Sequence, residues 1–289
     1  MNSKQRSEGD PGLSYLSRFT VHGLRRFRQR SYELEHLDKG DYTPEEYEGC
    51  IVELQRVNQW LGDARALRHS LLNEIERSGI SSFSVLDVGA GSGELLRVIS
   101  QWARNNNNHA RLVGLELNAR SARAISDAGG ESRVSAEITA LRGDALCLPF
   151  ADGSFDYSMC SLFTHHFKDE QVIAILRELA RVAQRRIFVI DLHRHPLAYF
   201  FYTTAGHLFL HNRLIREDGA LSILRGFKPG ELERLACEAE LADITVERHF
   251  PYRLVLAASP GLRKICHSPT PQYFSAVKQP GLGHGAAKP

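Results

Sequence analysis

Hydrophobic residues follow two different spacings along this chain of 289 residues. Up to about residue 80 they recur every three to five positions, as at Leu13, Leu16 and Phe19, which predicts helices. From residue 81 onward, short apolar runs alternate with longer amphipathic stretches. That alternation predicts strands joined by helices, and therefore a mainly parallel sheet built from βαβ units.

The segment before residue 80 is predicted to form helices only. One helical pattern covers residues 13–37, and a second covers 43–61. Thr43 is a favourable capping residue for the second helix, and Pro44 follows at its first position. A third helix is predicted over 64–77 and ends at a glycine.

Seven strands are predicted after this helical segment. They are FSVLDV (83–88), RLVGLEL (111–117), ITALRGD (138–144), FDYSMCS (155–161), RIFVIDL (186–192), DITVERHF (243–250) and RLVLAAS (253–259). The last two have little sequence between them, which predicts an antiparallel hairpin at one edge of the sheet.

This pattern divides the chain into three parts. We expect an N-terminal helical cap over 1–80 and an α/β domain over 81–259. The α/β domain carries a long insertion at about 193–226, after the fifth strand. The tail over 260–289 contains several Pro and Gly residues without a periodic pattern, so we expect it to be mobile.

The charges nearly balance, with a formal net charge of +2. Nucleic-acid-binding proteins usually carry a broad basic field, so this balance argues against such a partner. A local exception is an arginine-rich stretch without acidic residues, which contains Arg18, Arg25, Arg26, Arg28 and Arg30. Three interpretations stay open for it: a solvated helix face, a contact with an anionic membrane, or a contact with a carrier protein or acidic substrate.

The cysteines and the apolar segments indicate the compartment. The five cysteines are scattered and form no C-x-x-C pair, which argues against a disulfide framework or a structural zinc site. The most apolar segment, PLAYFFYTTAGHLFL (196–210), is too short to span a bilayer. The polar N-terminus contains no apolar signal region. We therefore expect a cytoplasmic protein without stable membrane insertion, and a homodimer stays open.

The motif VLDVGAGSGELL (85–96) places a glycine-rich turn directly after the first strand. Such a turn lets the backbone approach a ligand closely at a helix N-terminus. Its spacing is G-x-G-x-G, and Glu94 occupies the position of the last glycine of the dinucleotide fingerprint G-x-G-x-x-G. The turn therefore argues against a nicotinamide dinucleotide, and it lacks the Gly-Lys-Ser/Thr of a phosphate-binding loop.

Two further acids end the second and third predicted strands. Glu116 is in a position to accept hydrogen bonds from two vicinal ribose hydroxyls, as dinucleotide enzymes also do. Asp144 is in a position to accept from an adenine amino group, and the N–H of Ala145 can complete a contact with the base. Together with the glycine turn, these acids predict a nucleoside ligand.

Four motifs resemble those of class I S-adenosylmethionine-dependent methyltransferases. They are VLDVGAGSGELL, GLELN, GDALCLPFADGSFDYSMCS and RELARVAQRRIFVIDL, and the resemblance covers roughly 81–258. The D-x-x-x-L-P-F-x-D-x-S-F-D run is most similar to the group that includes the ubiquinone and menaquinone biosynthesis methyltransferases. RVNQWLG (56–62) and DLHRHPLAYFFY (191–202) are also similar to methyltransferases found beside bacterial type III polyketide synthases.

This resemblance implies a fold, a cofactor and residue roles. The fold is a Rossmann-like sheet of seven strands in the order 3-2-1-4-5-7-6, with strand 7 antiparallel, and the cofactor is S-adenosyl-L-methionine. The implied contacts with its methionine part are Asp87, Gly89, Gly91 and Gly93. The implied contacts with the rest of the cofactor are Glu116 and Leu117 at the ribose and adenine ring, Asp144 and Ala145 at the adenine, and Ser161 and Leu162 beneath the sulfonium.

Histidines follow the fourth and fifth strands, whose carboxyl ends meet at the ligand edge of an open α/β sheet. We predict His165 or His193 as a general base, with Asp191 as the group that orients it. The alternative is that His165 or His166 only packs at a helix start and forms a local hydrogen bond. His207 and His211 are four residues apart, but no H-E-x-x-H motif accompanies them, so we expect no metal.

The acceptor pocket is predicted between the helical cap and the aromatic insertion, which would serve as a lid. Its candidate residues are Asn58, Trp60, His166, Tyr199 and Tyr202. This lining suggests a small hydrophobic acceptor of aromatic, polyketide or quinol-like character, methylated on oxygen or carbon. The open alternatives are a methyltransferase-like binding module without catalysis and a nicotinamide-dependent oxidoreductase.

Overall fold

The structure is a computed structural model that describes residues 25–43, 45–46, 49–50, 53, 62–128 and 136–261. Its helices are α1 (His36–Lys39), α2 (Asp63–Leu67), α3 (Asn73–Ser78), α4 (Glu94–Asn105), α5 (Ala119–Ala128), α6 (Asp169–Val182), α7 (Pro196–Phe209), α8 (Arg213–Arg225) and α9 (Pro229–Glu238). Its strands are β1 (Ser82–Val88), β2 (His109–Glu116), β3 (Ala136–Arg142), β4 (Phe155–Ser161), β5 (Ala183–Leu192), β6 (Ala242–His249) and β7 (Arg253–Ser259). A π-helical turn (Arg68–Leu72) joins α2 to α3, and a 3₁₀ turn (Thr164–His166) follows β4.

All seven strands form one sheet in the order β3-β2-β1-β4-β5-β7-β6. Strands β1 to β5 pair in parallel, whereas β7 is antiparallel to both β5 and β6. This arrangement confirms the predicted strand order and the predicted Rossmann-like class.

The strand β1 shows why both faces of the sheet are covered. Its side chains alternate, so that Leu86 and Val88 join the core beneath α6 and α9. Phe83 and Val85 point to the opposite face and join the core beneath the helices α2 to α4. Because helices cover both faces, these strands are apolar on both sides and read as continuous hydrophobic runs.

The segment 25–35, here called the strap, differs from the predicted helix. Only its first residue is helical; the strap then turns and runs without regular secondary structure to α1. The N–H of Ser31 donates to the carbonyl of Leu224 at 3.0 Å, which fastens the strap to α8. The helical prediction for this segment is therefore wrong in the described part, because long-range hydrogen bonds outweigh the local hydrophobic spacing.

Arg30 is the main anchor of the strap. Its buried guanidinium donates to the carbonyls of Arg225 at 3.0 Å, Phe167 at 3.0 Å and His165 at 3.3 Å, and to the Asp169 carboxylate at 2.8 Å. It also lies 4.0 Å from the centre of the Phe227 ring. The interpretation of the arginine-rich stretch as one solvated face is therefore wrong for Arg30.

Replacing Arg30 by methionine should lower the free energy of unfolding by about 3–5 kcal/mol. The loss arises because buried carbonyls and the Asp169 carboxylate lose their donor, while the apolar stem is kept. Arg26→Met is the matched control, since Arg26 is exposed on the same strap, and it should change stability by less than about 0.5 kcal/mol. Urea unfolding measures both; equal effects of the two substitutions would contradict the anchoring role.

The other helices of the N-terminal part agree with the prediction where they are described. Thr43 and Glu46 form reciprocal hydrogen bonds, from the Glu46 N–H to the Thr43 hydroxyl and from the Thr43 N–H to the Glu46 carboxylate. The predicted helix over 64–77 is present, interrupted by the π-helical turn, and Gly79 ends it with φ of 65°. Asn58 and Trp60 lie outside the described residues, as do Arg18 and the tail beyond residue 261.

The long insertion after β5 folds into the helices α7 and α8. The Asn212 side chain caps α8 by accepting from the Leu214 N–H at 2.9 Å. Tyr202 of α7 donates its hydroxyl to the Ile215 carbonyl of α8 at 2.5 Å. Within the described part of the chain, no helix has the length and apolar character needed to cross a membrane.

Candidate functional site

The predicted ligand residues gather at the carboxyl edge of the parallel strands. Asp87 lies near the end of β1, Glu116 ends β2 and Ser161 ends β4. Asp144 follows β3 after one glycine, and Asp191 is the penultimate residue of β5. Because these strands are parallel neighbours, five separate motifs meet along one edge of the sheet.

The glycine-rich turn approaches this edge with an unusual backbone. Gly89, Gly91 and Gly93 have φ of 70°, 56° and 82°, which only glycine adopts readily. A β-carbon on Gly89 would collide with the ring of Phe163. A β-carbon on Gly91 would meet no atom within 4 Å, so the turn is open to a ligand at that point.

Asp87 carries a buried carboxylate that lacks a partner. Its residue is 2% exposed, and within the described chain its Oδ1 atom has no hydrogen-bond partner. Burial, together with the negative charges of Glu116 and Glu94, raises the pKa of Asp87 to about 8. A buried acid in this state is suited to a cationic ligand group, because an ammonium would supply both the missing hydrogen bond and the missing charge.

Glu116 joins the turn to the second strand. One carboxylate oxygen accepts from the Gly91 N–H at 3.0 Å, and the other accepts from the N–H groups of Leu117 at 3.0 Å and Asn118 at 3.2 Å. These bonds hold the carboxylate at the sheet edge, and a carboxylate has further lone pairs for hydroxyl donors. The Leu117 side chain is 63% exposed beside it, which offers an apolar surface to a planar ring.

The remaining predicted cofactor contacts continue along the same edge. Asp144 accepts from the Leu146 N–H at 2.9 Å, and Ala145 is buried next to it. Leu162 has φ of 48°, a conformation that is costly for a branched residue. Its N–H donates to the Ile190 carbonyl at 2.8 Å, so the chain turns sharply after Ser161. Strained backbone of this kind is concentrated at functional sites.

A buried aspartate–histidine pair lies at the ends of β4 and β5. The Oδ1 atom of Asp191 is 2.7 Å from Nδ1 of His165. The Oδ2 atom of Asp191 accepts from the Thr164 hydroxyl at 2.6 Å and from the His165 N–H at 3.1 Å. Both side chains are almost completely buried, at 4% exposure for His165 and 0% for Asp191.

Asp191 is the ionised partner of this pair. Burial acts to raise its pKa, but the positive charge of His165 and the hydrogen bonds from His165, Thr164 and Leu192 outweigh it and lower the pKa. When His165 is neutral and carries its proton on Nδ1, the ionised Asp191 accepts from that N–H, and the Nε2 lone pair of the imidazole is available as a base. The structure therefore brings together two of the three predicted catalytic residues.

A second carboxylate near the pair comes from the strap and was missed by the sequence reasoning. Glu35 is buried, and its Oε1 atom accepts from the Ser222 hydroxyl at 2.7 Å and lies 4.0 Å from Nδ1 of His166. Nothing in the local sequence distinguishes Glu35 from its exposed neighbour Glu33.

Glu35, His165 and His166 bring metal-ligand types of atom within 4.8 Å of one another. Nη1 of Arg225 is 3.4 Å from Oε1 of Glu35. The positive charge of Arg225 would repel a metal cation at this position. The expectation that no metal is bound stays a prediction.

His193, the other predicted base, lies in a different environment. Its ring centre is 5.3 Å from that of His195, which itself stacks on Tyr252 at 5.3 Å. Burial, followed by the positive charges of His195 and Arg248, lowers the pKa of His193 to about 4. His193 is therefore neutral at pH 7 and a weaker base than an ordinary histidine.

The two predicted pocket tyrosines belong to α7. Tyr199 packs edge-on against Phe27 of the strap, with ring centres 5.6 Å apart. Tyr202 is directed to α8 through its bond to the Ile215 carbonyl, and a β-carbon on Gly219 would collide with it. The structure thus places Tyr202 in the packing between the two helices of the insertion.

Residues 85–186 match the family model described as "Methyltransferase domain". A demethylmenaquinone methyltransferase of Roseiflexus sp. (strain RS-1) is 31% identical over 134 residues, which is 45% of this chain and 50% of that protein. A 2-phytyl-1,4-naphtoquinone methyltransferase of Synechococcus elongatus is 32% identical over 38% of this chain and 46% of that protein. The uncharacterized methyltransferase YcgJ of Bacillus subtilis is 31% identical over 109 residues, which is 37% of this chain and 40% of that protein.

The chain thus spans half or less of the length of these curated relatives. Among solved structures, a SAM-dependent methyltransferase from Aquifex aeolicus is 14% identical, with a TM-score of 0.48, 71% of this chain covered and 96% of that chain covered. The family match, the strand order and the motifs at the sheet edge agree with one another. Residues 85–186 therefore carry a methyltransferase domain, and the chain resembles the class I S-adenosylmethionine-dependent methyltransferases of quinone biosynthesis.

Proposed function

We propose that this protein transfers a methyl group from S-adenosylmethionine to a hydroxyl oxygen or an acidic carbon of a small hydrophobic acceptor. The observation that carries the proposal is the buried pair of Asp191 and His165 at the carboxyl edge of the sheet. A positioned base is needed where the attacking atom must lose a proton, and not where an amine already has a lone pair. The pair therefore favours an oxygen or carbon acceptor.

The cofactor residues fit the groups of S-adenosylmethionine. The unpartnered Asp87 carboxylate is suited to the ammonium of the methionine part. Glu116 is suited to the ribose hydroxyls, and Asp144 with the Ala145 N–H to the adenine. Exposed Leu117 would cover one face of the adenine ring, and Ser161 and Leu162 would lie beneath the sulfonium.

S-adenosylmethionine supplies, when bound, a methyl group made electrophilic by its sulfonium. In the reaction that we propose, Nε2 of His165 takes the proton of the acceptor hydroxyl or acidic carbon. Asp191 holds the Nδ1–H tautomer throughout and stabilises the imidazolium that results. The acceptor atom, once freed of its proton, would be the nucleophile toward the methyl group that the cofactor would supply, and His165 would later release the proton to water.

The acceptor that we propose is aromatic, polyketide or quinol-like, in keeping with the helical insertion that follows β5. The insertion contains Tyr199, which packs on Phe27, and it contains exposed apolar residues of α7. Two of the relatives are named as a demethylmenaquinone methyltransferase and a 2-phytyl-1,4-naphtoquinone methyltransferase, and these names denote quinone-type acceptors. The insertion and the N-terminal part are proposed to cover the acceptor as a lid and cap.

The test is a set of reactions with radiolabelled S-adenosylmethionine and a panel of phenols, quinols and alkylated aromatic polyketides. Extraction of labelled product into organic solvent, followed by NMR of the methylated product, identifies both the acceptor and the atom. Transfer only to amines would contradict the proposal. Tight binding of S-adenosylhomocysteine without transfer to any member of the panel would favour a binding module without catalysis.

A further inference from the structure

Two groups of exposed apolar side chains lie at the ligand edge of the sheet. The helix α7 starts shortly after the carboxyl end of β5, and it exposes Leu197 by 47% and Phe201 by 55%. The turn between β6 and β7 exposes Phe250 by 76%. Because Leu192 at the end of β5 pairs with Arg253 at the start of β7, that turn lies at the same edge as α7.

The two groups are neighbours. His195, just before α7, stacks on Tyr252 of the turn with ring centres 5.3 Å apart. The exposed side chains of Leu197, Phe201 and Phe250 therefore belong to one part of the surface, here called the edge patch. Large exposed apolar side chains grouped in this way mark an interaction surface more often than a simple solvent boundary.

Basic residues border the edge patch. Phe27 packs against Tyr199 of α7, and the exposed Arg25, Arg26 and Arg28 surround Phe27 in the sequence. Arg248 is exposed two residues before Phe250. Exposed acids are also close in sequence, at Glu33 on the strap and at Glu247 on β6. Among the exposed charged residues that neighbour Phe27 and Phe250 in the sequence, these four arginines outnumber the two acids.

We propose that the edge patch and its basic border dock on the surface of a bilayer that contains anionic phospholipid. The apolar side chains would enter the interface while the arginines meet the headgroup phosphates. A second copy of this chain is the less favourable occupant, since a two-fold contact would bring the arginines of two borders together. Docking in this orientation would present the ligand edge of the sheet to the membrane.

The test is co-sedimentation of the full chain with vesicles of phosphatidylcholine, with and without phosphatidylglycerol, and in the absence of any acceptor. We expect binding to the anionic vesicles that weakens at high salt. The double substitution of Phe201→Ser and Phe250→Ser should reduce it by at least roughly tenfold, and Arg26→Glu should also reduce it. Leu141→Ser is the matched control, because Leu141 is 37% exposed on β3 at the far end of the sheet, and it should bind as the wild type does.

Unchanged far-UV circular dichroism and unchanged affinity for S-adenosylhomocysteine would show that the double variant is folded. The proposal is overturned if the wild type does not bind anionic vesicles, or if the double variant and the wild type bind equally. It is also overturned if the substitutions instead dissociate a dimer of the wild type that ignores vesicles. Because no acceptor is present, these outcomes do not depend on the proposed methyl transfer.

Discussion

Replacing His165 by glutamine is expected to lower kcat by roughly 10²- to 10⁴-fold, the range that a lost general base produces. Glutamine can occupy the same space and accept a hydrogen bond, but it cannot take a proton from the acceptor. Asp191→Asn should lower kcat comparably, since its amide can donate where the carboxylate accepts from Nδ1–H and would therefore favour the wrong imidazole tautomer. Single-turnover rates with the identified acceptor measure both.

His211→Gln is the matched control for the loss of an imidazole, because the His211 side chain is 90% exposed. It should leave kcat unchanged. The affinity for S-adenosylhomocysteine should stay within about twofold in His165→Gln, since the predicted cofactor contacts are intact. A His165→Gln enzyme with wild-type kcat would contradict the role of the pair and would point to an acceptor that attacks without losing a proton to this residue.

Replacing Asp87 by asparagine is expected to weaken binding of S-adenosylhomocysteine by roughly 10- to 100-fold, which is the loss of a charge-assisted hydrogen bond to an ammonium. The wild type should also release a proton on binding. With a pKa of about 8, Asp87 is mostly protonated at pH 7 in the free protein, and an ammonium beside it would make it ionise. The release should be about 0.9 proton at pH 7 and should approach zero above pH 9.

Calorimetry in buffers of different ionisation enthalpy measures this proton release. Asp87→Asn should bind with no such release, whereas Asp152→Asn should behave as the wild type, because Asp152 is an exposed acid that pairs with Arg181. The direction in which stability changes with pH also follows from the pKa of Asp87. Since the pKa of Asp87 is raised on folding, the free protein should lose stability from this group as the pH rises from about 4 to 8. Proton uptake on binding would contradict the assigned partner.

The residues proposed to bind the cofactor could be predicted from the sequence because each of them lies at or just after a strand end. Asp87, Glu116 and Asp144 follow apolar runs, and parallel strands bring such positions to one edge whatever the details of packing. The Asp191–His165 pair was predicted for the same reason. The proposal of His165 over His193 rests on their environments in the structure, since the imidazole of His165 meets the carboxylate and that of His193 lies near positive charges.

The conformation of the N-terminal part near the proposed acceptor pocket was harder to predict from the sequence, because it depends on contacts between residues far apart in the chain. The spacing of Leu24 and Phe27 favoured a helix, but Arg30 donates four hydrogen bonds to carbonyls and a carboxylate that only the folded domain brings together. That same strap brings Glu35 close to His166. Local hydrophobic spacing contains no information about such partners, so the conformation of the strap could not be predicted from its own sequence.

The attachment of the strap has a consequence for the order in which the protein folds and opens. Its contacts join residues 139 and 195 positions apart, from Arg30 to Asp169 and to Arg225. Loops that long close late, so the strap should be placed only after the sheet and α8 have formed. By the same reasoning it is the segment that can detach without unfolding the sheet. The Ser31 amide should then exchange its hydrogen with solvent faster than the amides of β1, and its exchange rate would report how often the neighbourhood of His165 opens.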